Sequence, residues 1–168
     1  MPIDREAVDR LASLPEVGVL EAAHGPEHSL EVHLPFLQVV LNRFSLVPIV
    51  AGQAAPATVA KVLETVWGGP ETVIVISSDL SHYLDYRSAQ ALDASTRAAI
   101  ESLDPAAISH DQACGRVPVS GLLMAARSHH LSVETLDLRN SGDTAGPRDG
   151  VVGYGAWAFC EESPNDRA

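Results

Sequence analysis

The amino-acid sequence predicts an α/β fold, in which helices cover both faces of a mostly parallel sheet. Strand-like and helix-like segments alternate along the chain, which is the pattern of such folds. Residues 72–77, TVIVIS, form a continuous run rich in β-branched side chains, typical of a strand that is buried on both faces. Residues 57–67 carry apolar side chains at helical spacing, namely Val59, Val62, Leu63, Val66 and Trp67. A chain of 168 residues is expected to form one domain, over residues 1–160, followed by a solvated tail over 161–168.

The first half of the chain is predicted to alternate helix and strand, over residues 4–13, 17–20, about 29–41, 45–52, 57–67 and 72–77. Asp4 can cap the first helix, and Pro15 follows its end. The helix from Ser29 to Leu41 is expected to be disturbed at Pro35, which lacks the N–H that would bond back to residue 31. Pro48 places the second strand at an edge or a bulge.

The second half is predicted to contain a helix over about 86–102, a short helix, a helix up to about Ser128, and strands over 132–138 and 151–160. Asp104–Pro105 is a cap followed by a first-turn proline, and Pro118 opens the helix that follows Cys114–Gly115. A polar loop over 139–150 joins the two strands. Because ligands of such folds bind beyond the carboxyl ends of strands, the loops there are the places to look for a site.

Composition excludes several classes of function. Apolar residues make up 46% of the chain, enough to bury a core, and 22 acidic residues against 11 basic ones give a formal net charge of −11. A surface this acidic repels phosphate backbones, so nucleic acid is not an expected partner. No apolar run has the length of a membrane span, and the first residues do not resemble a secretory signal. Two cysteines form no disulfide framework, so a soluble, cytoplasmic protein is expected.

The segment from Ser77 to Tyr83 directly follows the most strand-like run in the chain, which places Asp79 and His82 where an α/β fold builds its site. Asp79 could orient the imidazole, and His82 could act as a general base near neutral pH. The alternative is an Asx turn with a capping serine, which is common after a strand.

Two histidines and two carboxylates lie within residues 27–33. His28 and His33 are five residues apart, which turns them about 140° from each other on a helix and misses the zinc-protease spacing. The alternative is an N-terminal helical turn, in which Glu27 and Glu31 favour the helix dipole and the histidines are exposed.

Cys114 lies just before a predicted helix and close to Arg116. Both features favour the thiolate, and therefore metal ligation or nucleophilic chemistry. The alternative is a small buried apolar residue, the usual role of a lone cysteine. Cys160, at the end of an apolar strand, is expected in the core.

Three segments together resemble one protein family. They are EHSLEVHLPFLQ (27–38), VISSDLSHY (75–83) and CGRVPVSGLL (114–123), and VPIVAG and GYGAWAF accompany them in the same order. With these segments the chain resembles the Memo family, whose bacterial members are called AmmeMemoRadiSam system protein B. The resemblance implies a three-layer α/β/α sandwich like that of the class III extradiol dioxygenases (LigB-like), which open aromatic rings with O₂ at non-haem iron.

The same resemblance implies roles for four residues. Cys114 takes the place of the dioxygenase carboxylate ligand and would bind iron, or alternatively copper. His82 corresponds to the acid–base histidine, Asp79 lies beside it, and His28 is expected to face the same pocket. The sequence therefore predicts that Cys114, His82 and His28 converge in space.

The chain departs from the family pattern in one respect. The two histidine ligands of the family lie in blocks that resemble APHAGY and GPSHH, and this sequence contains neither block. An N-terminal portion is therefore expected to be missing. Since non-haem iron prefers three protein ligands, the short form is expected to have a degenerate redox pocket that is inactive or metal-poor. The alternatives are a non-catalytic protein that binds a peptide or small ligand, and a fragment that self-associates through an exposed sheet edge.

Overall fold

The computed structural model describes residues 1–161, in which six α-helices precede or separate three β-strands. The helices are α1 (Arg5–Ala12), α2 (Glu21–His24), α3 (Leu34–Val40), α4 (Pro56–Thr65), α5 (Tyr86–Glu101) and α6 (Arg116–Ser128). The strands are β1 (His82–Leu84), β2 (Leu131–Asn140) and β3 (Val151–Glu161), and short 3₁₀ turns cover Pro105–Ala107 and Ser141–Asp143. The predicted tail lies outside the described residues, apart from Glu161, which ends β3.

The helices follow the local signals in the sequence. Asp4 caps α1 by accepting the N–H of Ala7, and α4 begins at Pro56 and buries the predicted Val59, Val62 and Leu63. A proline is tolerated in a first turn because the N–H that it lacks has no partner inside the helix there. The predictions of helices over 4–13, 57–67 and 86–102 are therefore confirmed, with ends that differ by a few residues.

The helix predicted from Ser29 to Leu41 begins only at Leu34, after a run of turns. The reason is Pro35, which occupies the first turn of α3 and therefore starts the helix instead of disturbing its middle. None of the residues of α3 is buried. The strand predicted over 17–20 is not formed either, since the structure has irregular backbone there before α2.

The three strands form one antiparallel sheet in the order β1–β3–β2. The long β2–β3 ladder pairs Leu131 with Glu161 at one end and Asn140 with Gly153 at the other. The sequence favoured a mostly parallel sheet, and this finer prediction is not confirmed. Among residues 1–161 the parallel pairing is limited to a single bridge between Ile3 and Leu46.

The segment with the strongest strand signal, TVIVIS, has no strand neighbour. The backbone of residues 73–78 makes no hydrogen bond to the backbone of any other described residue, so these residues are not part of a ladder. Ile74 and Ile76 nevertheless pack on the core cluster between α4 and α6, formed by Val59, Leu63 and Leu122. A β-branched run predicts a strand correctly only where a partner strand is present to pair with it.

A second core cluster lies between α5, α6 and the sheet, and comprises Ala99, Ile100, Ile108, Ala113 and Leu123. Val133, Trp157 and Phe159 of the sheet pack against it. This cluster packs α5 and α6 against the sheet. The site described next lies where the chain enters β1, which pairs with β3, and in the loop just before α6. No helix within residues 1–161 has the length and hydropathy to cross a membrane.

Candidate metal centre

Three side chains from two distant segments converge beside the start of β1. One ligand atom each of Asp79, His82 and Cys114 lies within 4.8 Å of the other two. Asp79 and His82 lie on either side of the entry into β1, and Cys114 comes two residues before α6. The predicted convergence of Cys114 and His82 is therefore present in the structure.

Backbone hydrogen bonds hold the two segments together. The N–H of Cys114 donates to the carbonyl of Asp79 at 3.3 Å, and the N–H of Asp79 approaches the Sγ of Cys114 at 3.3 Å. The hydroxyl of Ser78 accepts from the N–H of Gly115 at 2.9 Å and lies 3.8 Å from the same Sγ. These contacts fix the position of the sulfur, whose thiolate is the form that binds metals.

Gly115 is required by this close approach. A Cβ at this position would lie 2.6 Å from the carbonyl oxygen of Ser77, a contact that the backbone could not accept without moving. In the pair Cys114–Gly115, the cysteine therefore supplies the ligand atom, and the glycine lets the loop approach the segment that carries Asp79.

The distance between Asp79 and His82 bears on their roles. The Oδ2 of Asp79 lies 3.8 Å from the Nε2 of His82, which is too far for a direct hydrogen bond. Both side chains are partly exposed, so neither is desolvated by the fold. The predicted orientation of His82 by Asp79 is not seen as a direct contact, and both side chains can instead offer an atom to a third group between them.

The thiol, imidazole and carboxylate fit a first-row transition metal. Zinc, iron and copper all accept nitrogen and sulfur ligands, and a separation of up to 4.8 Å between ligand atoms allows one ion to contact all three after small side-chain movements. The ligand set is mixed in softness, which excludes calcium and magnesium as preferred ions because those prefer oxygen alone.

His28 does not join this cluster. Its Nδ1 contacts the Oε1 of Glu31 at 2.7 Å, three residues along the chain, and its side chain is 75% exposed. The segment lies in the turns before α3, whose residues are all exposed or half-buried, so no packing carries His28 toward β1. The expectation that His28 faces the same pocket is not met in the described residues.

An open groove of about 550 Å³ leads to the cluster, a volume in the range of small-molecule sites. Its lining comprises His82, Leu84, Leu92, Ser109, His110, Asp111 and Cys114. His110 lies in the turn before Cys114, and nothing in its local sequence pattern indicates that this turn folds back beside β1. Cys160 was expected in the core but is exposed near the end of β3.

Asp93 is a further residue that the sequence interpretation missed. It lies on the buried face of α5, is 2% exposed, and accepts the N–H of Ser81 at 3.0 Å. Burial raises the pKa of this carboxyl, and the hydrogen bond from the N–H of Ser81 opposes that rise. Its position four residues after the buried Ala89 puts both residues on one helix face, but its contact with Ser81, twelve residues away, has no local sequence signal.

Comparison with known proteins gives one consistent family. The sequence profile described as "Memo-like protein" matches residues 1–158. A MEMO1 family protein of Metallosphaera sedula is 31% identical over 95% of this chain and 61% of its own length. MEMO1 family proteins of Methanobrevibacter smithii and Archaeoglobus fulgidus are 30% and 33% identical, over 94% and 92% of this chain and 60% and 61% of their own lengths.

This chain therefore spans about three fifths of the length of the curated relatives that it matches. The matched region includes the segments that carry Asp79, His82 and Cys114, all of which lie within residues 1–158. The match over nearly the whole sequence and the identity to several relatives show that the chain belongs to the Memo family.

Proposed function

We propose that this chain carries a metal-binding pocket of redox type, in which Asp79, His82 and Cys114 hold the ion. The observation that carries the proposal is the convergence of a carboxylate, an imidazole and a thiol within 4.8 Å. From the resemblance alone, one thiolate was expected to remain of three ligands. A set of three side chains supports metal binding by this chain itself, because non-haem iron is commonly held by three protein ligands.

Iron is the ion that the resemblance to extradiol dioxygenases favours, with copper as the alternative, and such an ion would supply redox chemistry when bound. The residues of this chain would then have separate roles in binding the metal, binding a ligand and transferring protons. Asp79, His82 and Cys114 hold the ion, and the groove beside Leu84 and Leu92 holds a small, partly apolar molecule. Because His82 is then a ligand, His110 is the groove imidazole that remains to donate or accept a proton.

Metal analysis of the purified protein tests this proposal. After incubation with ferrous or cuprous ion and desalting, the protein should retain close to one equivalent of metal, measured by elemental analysis. Cys114→Ser should lose most of that metal, because the hydroxyl is a much weaker ligand than a thiolate. Cys160→Ser is the matched control, since Cys160 is also exposed but lies away from the cluster, and it should retain the metal.

Near-zero metal in the unsubstituted protein would contradict the proposal, as would equal loss in both serine variants. In that case the second candidate is a non-catalytic protein that binds a small molecule or peptide. The mixed lining of the groove favours it, since this lining combines apolar Leu84 and Leu92 with polar Ser109 and Asp111. Ligand binding that persists unchanged in Cys114→Ser would identify this candidate.

We also propose that the sheet of the whole protein is larger than the three described strands and has the mostly parallel, three-layer arrangement of the extradiol dioxygenases. Residues 73–78 support this, since their backbone lacks partners among the described residues. One side of this segment packs on α4 and α6 through Ile74 and Ile76, while Val73 and Val75 are exposed. Further strands beside this segment would pair its backbone, and a further layer would cover its open face.

A further inference from the structure

We infer that Asp93 is a positioning residue for the metal centre, because it fixes the backbone between two of the ligands. The inference deepens the proposed function and rests on it for the metal-dependent part of its test. Asp93 lies on α5 and touches none of the three ligand atoms within hydrogen-bond distance. It acts on Ser81, which is fully buried between Leu80 and His82.

The backbone of Leu80 and Ser81 is held at three points. The N–H of Leu80 donates to the carbonyl of Gly153 at 2.9 Å, and the N–H of Gly153 donates to the carbonyl of Ser81 at 2.8 Å. The third point is the N–H of Ser81, which donates to the Oδ1 of Asp93 at 3.0 Å. Two of these points come from β3, and only the third comes from a side chain.

The fold makes room for this carboxyl at Gly153. A Cβ on Gly153 would lie 2.1 Å from the Oδ2 of Asp93 and 2.6 Å from its carboxyl carbon. Any larger residue at 153 would therefore displace the carboxyl from Ser81. Gly153 on β3 and Asp93 on α5 therefore pack closely together. The Asp93 carboxyl in turn accepts the N–H of Ser81, in the segment between Asp79 and His82.

Loss of the Asp93 oxygen would leave the N–H of Ser81 buried without a partner, which costs more than an exposed bond because water cannot replace it. The segment can recover that cost by moving toward solvent, and Asp79 would move with it. The N–H of Asp79 would then leave the Sγ of Cys114, which it now approaches at 3.3 Å. Residues that orient ligands in this indirect way commonly change metal affinity by about 10- to 100-fold.

The test compares Asp93→Leu, which removes the acceptor, with Asp93→Asn, which keeps an oxygen at Oδ1. Cobalt(II) is the probe, and its thiolate charge-transfer absorption reports ligation by Cys114. We expect Asp93→Leu to bind cobalt at least about tenfold more weakly than the unsubstituted protein, and Asp93→Asn to bind it nearly as well. Thr96→Val, which alters a buried polar residue one turn along α5, is the matched control and should have no effect.

A metal-free measurement separates this inference from the proposed function. With a chelator present, the alkylation rate of Cys114 is compared with that of Cys160 in the same molecule by mass spectrometry. Loss of the N–H contact to its Sγ should change the alkylation rate of Cys114 about fivefold relative to Cys160 in Asp93→Leu, because a hydrogen bond of about 1 kcal/mol is removed from the sulfur. Global loosening of the fold would instead speed up the alkylation of both cysteines.

If the unsubstituted protein binds no cobalt but the alkylation ratio changes as expected, the proposed function fails and the role of Asp93 stands. An unchanged ratio and unchanged cobalt affinity in Asp93→Leu overturn the inference, and so does an equal effect in Asp93→Asn or Thr96→Val. Should Asp93→Leu not fold, Gly153→Ala displaces the same carboxyl from the strand side and should produce the same change in ratio.

Discussion

Burial raises the pKa of the Asp93 carboxyl, whereas hydrogen bonds lower the pKa of the exposed carboxyls at Glu71, Asp85 and Asp143. The hydrogen bond from the backbone N–H of Ser81 and the nearby His82 only partly offset the desolvation of Asp93. Burial therefore makes the Asp93 proton harder to remove in the folded protein than in the unfolded chain.

This shift predicts how stability depends on pH at one residue. The folded protein binds the Asp93 proton more tightly than the unfolded chain, in which the pKa is about 3.9. The free energy of unfolding therefore falls as the pH rises above that value, until the pH passes the folded pKa. Asp93→Asn has no such proton, so its free energy of unfolding relative to the unsubstituted protein should increase as the pH rises above about 4.

Urea denaturation at several pH values measures this difference, because contributions from all other carboxyls are common to both proteins and cancel. A difference that does not change with pH would show that Asp93 has an ordinary pKa in the folded state. Asp93→Leu gives a second comparison. It should be less stable than Asp93→Asn by about 1–3 kcal/mol at every pH, because it leaves the N–H of Ser81 unpartnered.

The residues of the candidate site were predictable from the sequence in part. Asp79, His82 and Cys114 were identified from their residue types and from their places beside a predicted strand and a predicted helix, and the structure brings them together. His28 was expected in the same pocket but contacts its sequence neighbour Glu31. Asp93 was missed because its importance comes from a contact with Ser81, twelve residues away, which no local pattern encodes.

At the scale of elements, helices were predictable and strand pairing was not. Helix signals are local, such as the Asp4 cap and the proline at the start of α4, so they do not depend on distant parts of the chain. A strand needs a partner that lies elsewhere in the sequence, and the run at 72–77 lacks one among the described residues. The β2–β3 ladder was predictable as two strands, but its antiparallel register depends on the 141–150 connection.

The packing of α4 against α6 depends on one small residue. A Cβ on Gly121 of α6 would lie 2.3 Å from the Cγ1 of Val59 on α4. We expect Gly121→Ala to be destabilised by up to about 2 kcal/mol, since overpacking costs about 1–3 kcal/mol and the better helix propensity of alanine returns about 1 kcal/mol.

Chemical denaturation of a double-mutant cycle with Val59→Ala checks this explanation. Val59→Ala opens the space that the new methyl group needs, so the double variant should be more stable than the sum of the two single effects predicts. Additive effects would mean that the close approach of Gly121 and Val59 does not limit the packing of the two helices.

For the whole molecule, the net charge and the exposed backbone have opposite effects on self-association. The net charge of −11 repels other copies of the chain, and this repulsion weakens as salt rises. Residues 73–78 contain no charged side chain, and their backbone has no backbone partner among residues 1–161. Such a segment can pair with a second chain, which would supply backbone hydrogen bonds and would cover Val73 and Val75.

We therefore expect this chain to self-associate at micromolar concentration, more strongly at high salt, and to do so through residues 73–78. Val73→Lys combined with Val75→Lys should shift the sedimentation profile toward monomer, because charges on an open edge oppose strand pairing. Val39→Lys is the matched control, since Val39 is 85% exposed but lies on α3, where the helix satisfies the backbone. A monomer at all salt concentrations, or an equal shift caused by Val39→Lys, would mean that the unpaired backbone at 73–78 does not drive association.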